Sequence, residues 1–397
     1  MTVYVAGGNS DPATEGYAVP GTPGGTPLAQ LDPNEFSRMD ANQLSEVSAA
    51  QIEEITPYAF TRFAPSQVKD LDARQLGALS ADQFGALPPV SVASFNPRQI
   101  KDVRPVAFGA LNALQVGAFG GSALKAISND QWNTLPAGAF GAFSAGQFRA
   151  LPEAILEGFK PVNMGAMPSV VFAGMKKAQI KALGKTAFSR IGPAQSAEFT
   201  TTALKVLSRQ QFANMNAAAF TGFDAKQVGS IAPKIFGSLK GASIKGCNFA
   251  GVTANQINAL KPKALKAIKP SQVGAFPLKA IKSLTGTQLK AISTEAMSGL
   301  LPVQVKSFKG VVLKSGMSPK KVLLLAPNTF AAMKSGQLNA ILSKPKMSKT
   351  ITIPQLEALT NTQVKNLPRK FVNGLDEERT LALIPKPAAA APSISTG

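Results

Sequence analysis

Residues 80–87 read SADQFGAL, and this order of a polar start, a Gln and two apolar positions three residues apart recurs every eight residues. We letter each eight-residue block, or octad, a to h from its Gln, so that Gln83 is at a, Phe84 at b and Leu87 at e. One register holds Gln43, Gln51, Gln67, Gln75, Gln83, Gln99, Gln115, Gln131, Gln147, Gln179, Gln195, Gln211 and Gln227. A short fixed period of this kind indicates stacked repeat units that share one continuous core.

Octads without Gln mostly carry Ala at a, and the two alternate over long stretches, as at Ala107, Gln115 and Ala123, so the period is often sixteen. We expect the frame to gain residues near residues 248–256 and to be disturbed at 151–162, 309–322 and 343–353. The predicted organisation is therefore an extended arm over residues 1–26, a first-register solenoid over 27–250, a shifted-register solenoid with irregular breaks over 251–384 and an extended tail over 385–397.

The spacing of b and e fits one face of a helix, whereas a half-buried strand would alternate. Helix start signals precede the Gln: a capping side chain stands three residues before it. These pairs are Asp72/Gln75, Ser80/Gln83, Asn96/Gln99, Ser128/Gln131, Ser144/Gln147, Ser208/Gln211, Asp224/Gln227, Thr285/Gln288 and Thr360/Gln363. Pro97 and Pro270 suit the first helical position. A cap every eight residues predicts helices of roughly two turns.

The fold class that follows is all-α: an elongated solenoid of short helices from an eight-residue repeat, often paired into 16-residue coils. Positions b and e would face the core, and coils ~8–10 Å apart would extend the chain on the order of 200 Å. A continuous coiled coil fits an octad poorly, and a β-solenoid gives capping residues no function. The glutamines assigned a structural capping role are Gln51, Gln67, Gln75, Gln83, Gln99, Gln115, Gln131, Gln147, Gln211, Gln227, Gln272 and Gln288.

The formal net charge of +20 is uneven, since residues 1–100 hold 5 Lys and Arg against 11 Asp and Glu, while residues 101–397 hold 37 against 11. Many lysines occupy c, directly after the buried b, and we predict that they line up as a basic row that binds an acidic partner. The candidates are Lys125, Lys181, Lys205, Lys245, Lys266, Lys282, Lys290, Lys306, Lys314 and Lys365, with Lys69 and Lys101 at equivalent positions. The alternative is that c is merely exposed and that Lys keeps the protein soluble.

Catalysis is not expected, because the chain has no His and one Cys, so the usual triads and zinc ligands are missing. No cofactor, metal site or small-molecule substrate is predicted. Cys247 at e and Trp132 at b are interpreted as core residues. Gly184, Lys185 and Thr186 resemble the end of a phosphate-binding loop, but Gln179 stands where its first Gly is required. No apolar run reaches the ~20 residues of a membrane span, and no secretory signal is recognised.

The run Thr287, Gln288, Leu289, Lys290, Ala291, Ile292 and the Lys-Pro-Ala tail from Lys386 to Ala390 resemble Lys-, Pro- and Ala-rich repeat proteins in virions of large algal DNA viruses. The resemblance covers the style of repeat and implies a minor capsid or tape-measure-like component beneath the capsid shell, with no functional residue carried over. It implies a place in the capsid interior, with major capsid protein, other minor proteins or the inner membrane as neighbours.

The residues themselves favour a non-enzymatic structural scaffold or ruler that organises other structural proteins, capsid or filament subunits with an acidic surface, through many weak contacts. One alternative is an extracellular or cell-surface filament subunit. Another is a basic rod that binds nucleic acid without sequence specificity.

Overall fold

The computed structural model describes residues 28–384, which fall into two compact units, residues 28–191 and residues 192–384. Both units consist of short helices joined by bends, and no β-strand occurs between residues 28 and 384. The all-α solenoid class is thereby confirmed. The arm predicted over residues 1–26 and the tail predicted over 385–397 lie outside the described residues. The predicted register change near residue 250 falls inside the second unit.

The first unit alternates α-helices with 3-10 helices, written η. Its elements are η1 (Leu28–Gln30), α1 (Pro33–Ser37), α2 (Ala41–Ser45), α3 (Ala49–Glu54), η2 (Pro57–Arg62), α4 (Pro65–Asp70), α5 (Ala73–Ala78), α6 (Ala81–Ala86), α7 (Pro89–Val92), α8 (Pro97–Asp102), η3 (Pro105–Ala110), α9 (Ala113–Ala118), α10 (Gly121–Ala126), α11 (Asn129–Thr134), η4 (Ala137–Ala142), α12 (Ala145–Ala150), α13 (Glu153–Glu157), α14 (Pro161–Ala166), α15 (Val170–Ala173), α16 (Lys177–Ala182) and η5 (Ala187–Arg190).

The second unit continues the same pattern. Its elements are α17 (Pro193–Ala197), α18 (Thr201–Leu204), α19 (Arg209–Asn214), η6 (Ala217–Thr221), α20 (Ala225–Ser230), α21 (Pro233–Phe236), α22 (Gly241–Gly246), η7 (Phe249–Gly251), α23 (Ala254–Ala259), α24 (Pro262–Leu265), α25 (Pro270–Ala275), α26 (Leu278–Ser283), α27 (Gly286–Ala291), η8 (Glu295–Gly299), α28 (Pro302–Val305), α29 (Gly310–Gly316), α30 (Pro319–Leu323), α31 (Pro327–Ala331), α32 (Ser335–Leu342), α33 (Ile353–Glu357), α34 (Asn361–Lys365), α35 (Arg369–Val372) and α36 (Glu377–Leu381).

Helix starts follow the predicted capping boxes. In α6 the Ser80 side chain accepts from the Gln83 backbone N–H, and the Gln83 side chain accepts from the Ser80 backbone N–H. The other eight predicted pairs make the same reciprocal bonds. Each helix then ends after about six residues at the extended e residue, for example Leu87. The helix length is therefore set by local sequence, as the octad predicted.

Octads with Ala at a are built differently. Six of them form the 3-10 helices η2, η3, η4, η5, η6 and η8. At η3 and η4 the residues before the helix are Arg104 and Pro136, and neither makes a side-chain cap hydrogen bond. Other Ala octads without a side-chain cap, in α10, α24 and α26, are α-helical, so the missing cap alone does not determine the 3-10 spacing. These 3-10 turns were not predicted from the sequence.

The number of octads per turn differs from the predicted two. Elements in close contact start about 24 residues apart, as α6 with η3 and α9 with η4 do, which is three octads. Hydrogen bonds from a reach back to carbonyls 28 and 31 residues earlier, in the fourth octad before. Each octad therefore rests on two octads of the turn below, and one turn takes between 24 and 32 residues. The predicted 16-residue coil is wrong, because the contacts join octads three and four apart.

The core of each unit is made of the b and e side chains. Phe84, Phe108 and Phe140 are at most 1% exposed, and the rings of Phe84 and Phe108, on successive turns, lie 5.3 Å apart. Small residues at c and d allow this approach. A Cβ added at Gly85 would lie 2.8 Å from the Ala110 Cβ and 2.9 Å from the Ala110 carbonyl oxygen. Helix backbones on successive turns are thus in direct contact, as expected from the Gly and Ala at these positions.

The register changes are now explicit. The segment from Gln227 to Gln256 is three residues shorter than four full octads. The shortening lies after Cys247 at e, because only Asn248 separates it from Phe249, the b residue of the next octad. Gln256 accordingly bonds to Val228 and Ile231, 28 and 25 residues earlier. The expected gain of residues here was wrong. A gain of five residues and a loss of three give the same later register in an eight-residue frame, so the register alone does not distinguish them.

The frame is disturbed in two later segments, as predicted, and in both it gains residues. Gln304 to Lys321 spans 17 residues and Gln337 to Gln355 spans 18, where two octads would give 16. The second segment contains Lys346, whose φ of 68° lies in the left-handed region. The disturbance predicted at 151–162 was wrong. The eight-residue spacing continues there, with Leu156 and Phe159 buried at b and e.

Candidate partner-binding surface

The periodic glutamines connect successive turns. The Gln83 Oε1 accepts from the Ser80 N–H at 2.9 Å, and its Nε2 donates to the Ile52 and Ile55 carbonyl oxygens at 2.7 and 2.6 Å. One buried amide therefore satisfies the start of its own helix and the end of a helix one turn below. We call this repeated arrangement the glutamine ladder.

Most of the glutamines assigned a capping role also take part in the ladder. Cross-turn bonds from Nε2 are made by Gln67, Gln75, Gln83, Gln99, Gln115, Gln131, Gln147, Gln227, Gln272 and Gln288. Gln51, nearest the start of the described residues, makes the cap to Ser48. Gln211 caps Ser208. The cap was predicted from the sequence and the cross-turn bond was not, although the near-exclusive use of Gln over Glu indicates that a donor is needed.

In some octads where a is neither Gln nor Ala, another side chain donates to a carbonyl of the turn below. Lys321, only 4% exposed, donates its Nζ to the Leu289 and Lys290 carbonyl oxygens at 2.6 and 2.9 Å. Burial lowers the pKa of Lys321 to about 8. Thr329 donates to the Leu300 carbonyl at 3.0 Å, and Arg379 to that of Ile351 at 2.9 Å. These three side chains therefore replace the cross-turn bond of the glutamine ladder.

All the lysines predicted to form the basic row are exposed. In the first unit, the stacking of the helices places Lys69, Lys101, Lys125 and Lys181 in one line with Arg149. Lys101, Lys125 and Arg149 lie on α8, α10 and α12, and α10 contacts both of the other helices. Gln99 bonds α8 to Val68 of α4, which carries Lys69, and Gln179 bonds α16, which carries Lys181, to Phe148 of α12. We name Lys69, Lys101, Lys125, Arg149 and Lys181 the first basic row.

A second row lies in the second unit. The helices α22, α24, α27 and α29 contact one another in that order and carry the c-position residues Lys245, Lys266, Lys290 and Lys314. We name these four the second basic row. Lys282 and Lys306 are also exposed, but each lies one octad before a residue of the row, on α26 and at the end of α28, and so outside the row. Lys205 and Lys365 are exposed but lie on α18 and α34, away from the helices of this row.

The rows are not neutralised by carboxylates. Over residues 28–384 the ion pairs are Arg104 with Glu53, 3.8 Å apart, and Arg379 with Asp376. Residues 201–350 hold 22 Lys and Arg against 2 Asp and Glu. Lys314 also lies close enough to Lys344 that the pKa of Lys344 is lowered, first by burial and then by the Lys314 charge. The surface around the second row is therefore strongly positive.

The two units also differ in net charge. Residues 1–191 contain 15 Lys and Arg and 15 Asp and Glu, a net charge of zero, whereas residues 192–397 contain 27 and 7, a net charge of +20. The whole excess of positive charge thus belongs to the part of the chain that carries the second basic row. An acidic partner would be attracted to that part first.

Other candidate groups lie in the core. Cys247 is buried, and burial raises the pKa of its thiol to about 12. Trp132 is 5% exposed and packs on Phe140, with ring centroids 6.0 Å apart. The part of the chain that the structure describes holds no cluster of three or more His, Cys, Asp or Glu that could bind a metal ion. None of its helices combines the length and apolarity needed to cross a membrane.

No protein-family model matches the chain, and no curated protein matches it significantly. The resemblance to virion repeat proteins therefore stays a prediction from the sequence.

Proposed function

We propose that the protein is a non-enzymatic scaffold whose basic rows bind an extended acidic protein surface. The observation that carries this proposal is the stacking of α22, α24, α27 and α29, which brings Lys245, Lys266, Lys290 and Lys314 into line without an acidic neighbour among the described residues. Charges that a fold aligns on successive turns and leaves unpaired are available to a partner.

The row geometry suits many weak contacts. Helices packed on one another lie ~8–10 Å apart, so each row offers a cation at roughly that interval. A single exposed Lys contributes little, because water and salt screen it. Several engaged together bind strongly, since after the first contact each further contact is intramolecular. A partner with acidic side chains along an extended surface matches this arrangement better than a compact ligand.

Nucleic acid is the competing partner, because phosphates are also attracted to lysine rows. Proteins that grip single strands add aromatic platforms on which bases stack. Here the Phe rings Phe84, Phe108, Phe140 and Phe249 belong to the core. Attraction of DNA would then rest on charge alone, and we expect it to be lost between low and physiological salt.

The test compares two variants of equal net charge. The row variant changes Lys245, Lys266, Lys290 and Lys314 to Gln, and the control variant changes the exposed residues Lys205, Lys226, Lys334 and Lys365 to Gln. Binding of poly-glutamate and of a DNA duplex is measured at physiological salt. We expect the row variant to bind poly-glutamate at least about tenfold more weakly and the control to change by less than about threefold.

Equal losses in the two variants would show that overall charge, and not the row, determines binding. Tighter binding of DNA than of poly-glutamate at physiological salt would favour the nucleic-acid function instead.

The biological setting proposed for this scaffold is the one that the sequence resemblance implies, a minor component of a virion interior. Co-purification from the native source tests it. Recovery with a major capsid protein would support that setting, whereas recovery with filament subunits or with nucleic acid alone would contradict it.

A further inference from the structure

The segment between α32 and α33 is two residues longer than the octad frame requires. It is nevertheless held firmly, because the side chains of Met347 and Ile351 are 0% exposed. The Thr350 hydroxyl also donates to the Lys346 carbonyl oxygen at 2.9 Å. The extra residues therefore form a turn that is anchored in the core.

This turn and α35 together line a pocket of about 160 Å³, which we name the lysine pocket. Its polar lining consists of three lysine and two serine side chains: Lys344, Lys346, Lys370, Ser343 and Ser348. The rest of the lining is apolar, and among the described residues no carboxylate reaches it. The surrounding sequence supplies no counter-ion either, since residues 296–356 contain nine Lys and no Asp or Glu.

The ammonium groups at the lysine pocket have donors to spare. Across residues 28–384, the Lys346 and Lys370 side chains make no hydrogen bond and no ion pair. The Lys344 side chain donates to the Met317 carbonyl oxygen, which uses one of its three N–H groups. Burial and the charge of Lys314 both lower the pKa of Lys344. An anion in the pocket would stabilise its charged form.

The backbone at Lys346 indicates that its side chain is needed there. Its φ of 68° lies in the left-handed region, and among the described non-glycine residues it is the one with a positive φ. Gly adopts this conformation freely, whereas a residue with a Cβ is strained in it. Strained residues of this kind cluster at ligand sites. A Lys at this position is therefore explained by its ammonium group and not by its backbone.

We infer that the lysine pocket binds a single phosphate group. A phosphate monoester carries about two negative charges at neutral pH and three strong acceptor oxygens, which match the converging ammonium and hydroxyl donors. A carboxylate has one charge and would leave more of the three ammonium groups without a counter-ion. The volume of about 160 Å³ is below that of sites for drug-sized ligands and suits one such group. No lining residue belongs to the basic rows, so the inference does not rest on the proposed function.

The test follows the ³¹P NMR signal of inorganic phosphate, and separately of O-phosphoserine, as full-length protein is added at physiological salt. We expect saturable binding that acetate displaces at least about tenfold less well than unlabelled phosphate does. Saturation with O-phosphoserine would assign the site to phosphate monoesters, and saturation with inorganic phosphate alone would assign it to the free ion. No saturable binding of either compound, or equal displacement by acetate, would overturn the inference.

Two variants of equal net charge test the position of the site. Lys346→Gly removes a lining ammonium together with the left-handed strain, so it should weaken phosphate at least about fivefold while leaving the unfolding temperature unchanged or higher. Misfolding does not produce that combination. The control is Lys349→Gly, which removes an exposed Lys outside the lining and should leave phosphate binding within about twofold. Unchanged binding in Lys346→Gly, or equal weakening in both variants, would contradict the assignment.

Discussion

Gln83 and Ile52 lie 31 residues apart in sequence, and the Gln83 side-chain nitrogen donates to the Ile52 carbonyl oxygen at 2.7 Å. The same nitrogen also donates to the Ile55 carbonyl, while the amide oxygen accepts from the Ser80 N–H. Both residues are buried, at 2% and 0% exposure. This one amide joins a helix start to a helix end on the turn below, so we expect it to contribute heavily to stability.

Gln83→Ala should lower the free energy of unfolding by about 3 kcal/mol, because one N–H and two carbonyls would be left buried without partners. The matched control is Gln51→Ala, which removes a cap to Ser48 but no cross-turn bond within the described residues. Its cost should be about 1 kcal/mol. Urea unfolding of both variants checks the difference, and equal losses would mean that capping alone explains the glutamines.

The close approach of the backbones at Gly237 and Ala259 leads to a second prediction. A Cβ at Gly237 would lie 2.3 Å from the Ala259 carbonyl oxygen, although the backbone at Gly237, with φ −64°, accepts any residue. Gly237→Ala should therefore destabilise the protein by about 1–3 kcal/mol through overpacking. Gly138→Ala, where a Cβ meets nothing within 4 Å, should be neutral or slightly stabilising. Thermal unfolding distinguishes the two, and a stable Gly237→Ala variant would contradict the contact.

Because Lys321 is buried, we expect the free energy of unfolding to depend on pH. Its pKa is lowered by burial from 10.5 to about 8, so between those values the folded protein has released a proton that the unfolded chain still binds. The stability contribution of Lys321 must therefore rise as the pH increases from about 8 to about 10.5. Below pH 8 both states are protonated, and the folded state bears the full cost of burying the charge.

Lys321→Gln places the usual ladder residue there and removes this titration. We expect the variant to be more stable than the native protein at pH 7, and the difference to shrink by roughly 1–3 kcal/mol by pH 10.5. Unfolding in urea at several pH values measures it. A difference that is constant with pH would show that the Lys321 ammonium is not buried in solution.

The helices were predictable because their signals are local. Ser80, Gln83 and Leu87 specify the start, the capping box and the end of α6 within eight residues. Burial of Phe84 at b follows from the same spacing. Likewise, Lys321 and Thr329 could be placed at a by counting back in eights from Gln337, although their hydrogen bonds could not be predicted.

The number of octads per turn was not predictable from a single octad, because it depends on the angle between consecutive helices. One signal was nevertheless present in the chain. The basic c residues Lys69, Lys101, Lys125, Arg149 and Lys181 are separated by 32, 24, 24 and 32 residues, which are the four- and three-octad steps of the observed stacking. The cross-turn half of the glutamine ladder was missed for a similar reason, since it depends on which octads are stacked.

The basic rows and the glutamine ladder both depend on the stacking of octads three and four apart, and a disulfide tests this stacking directly. A Cβ at Gly141 would lie 3.7 Å from the Ala113 Cβ, which is within disulfide range. In a Cys247→Ala background, Gly141→Cys with Ala113→Cys should form an intramolecular disulfide in a mild redox buffer, detected by mass spectrometry. Gly141→Cys with Lys125→Cys, the pair that a 16-residue coil would stack, should stay reduced. A disulfide in the second pair and none in the first would contradict the observed winding.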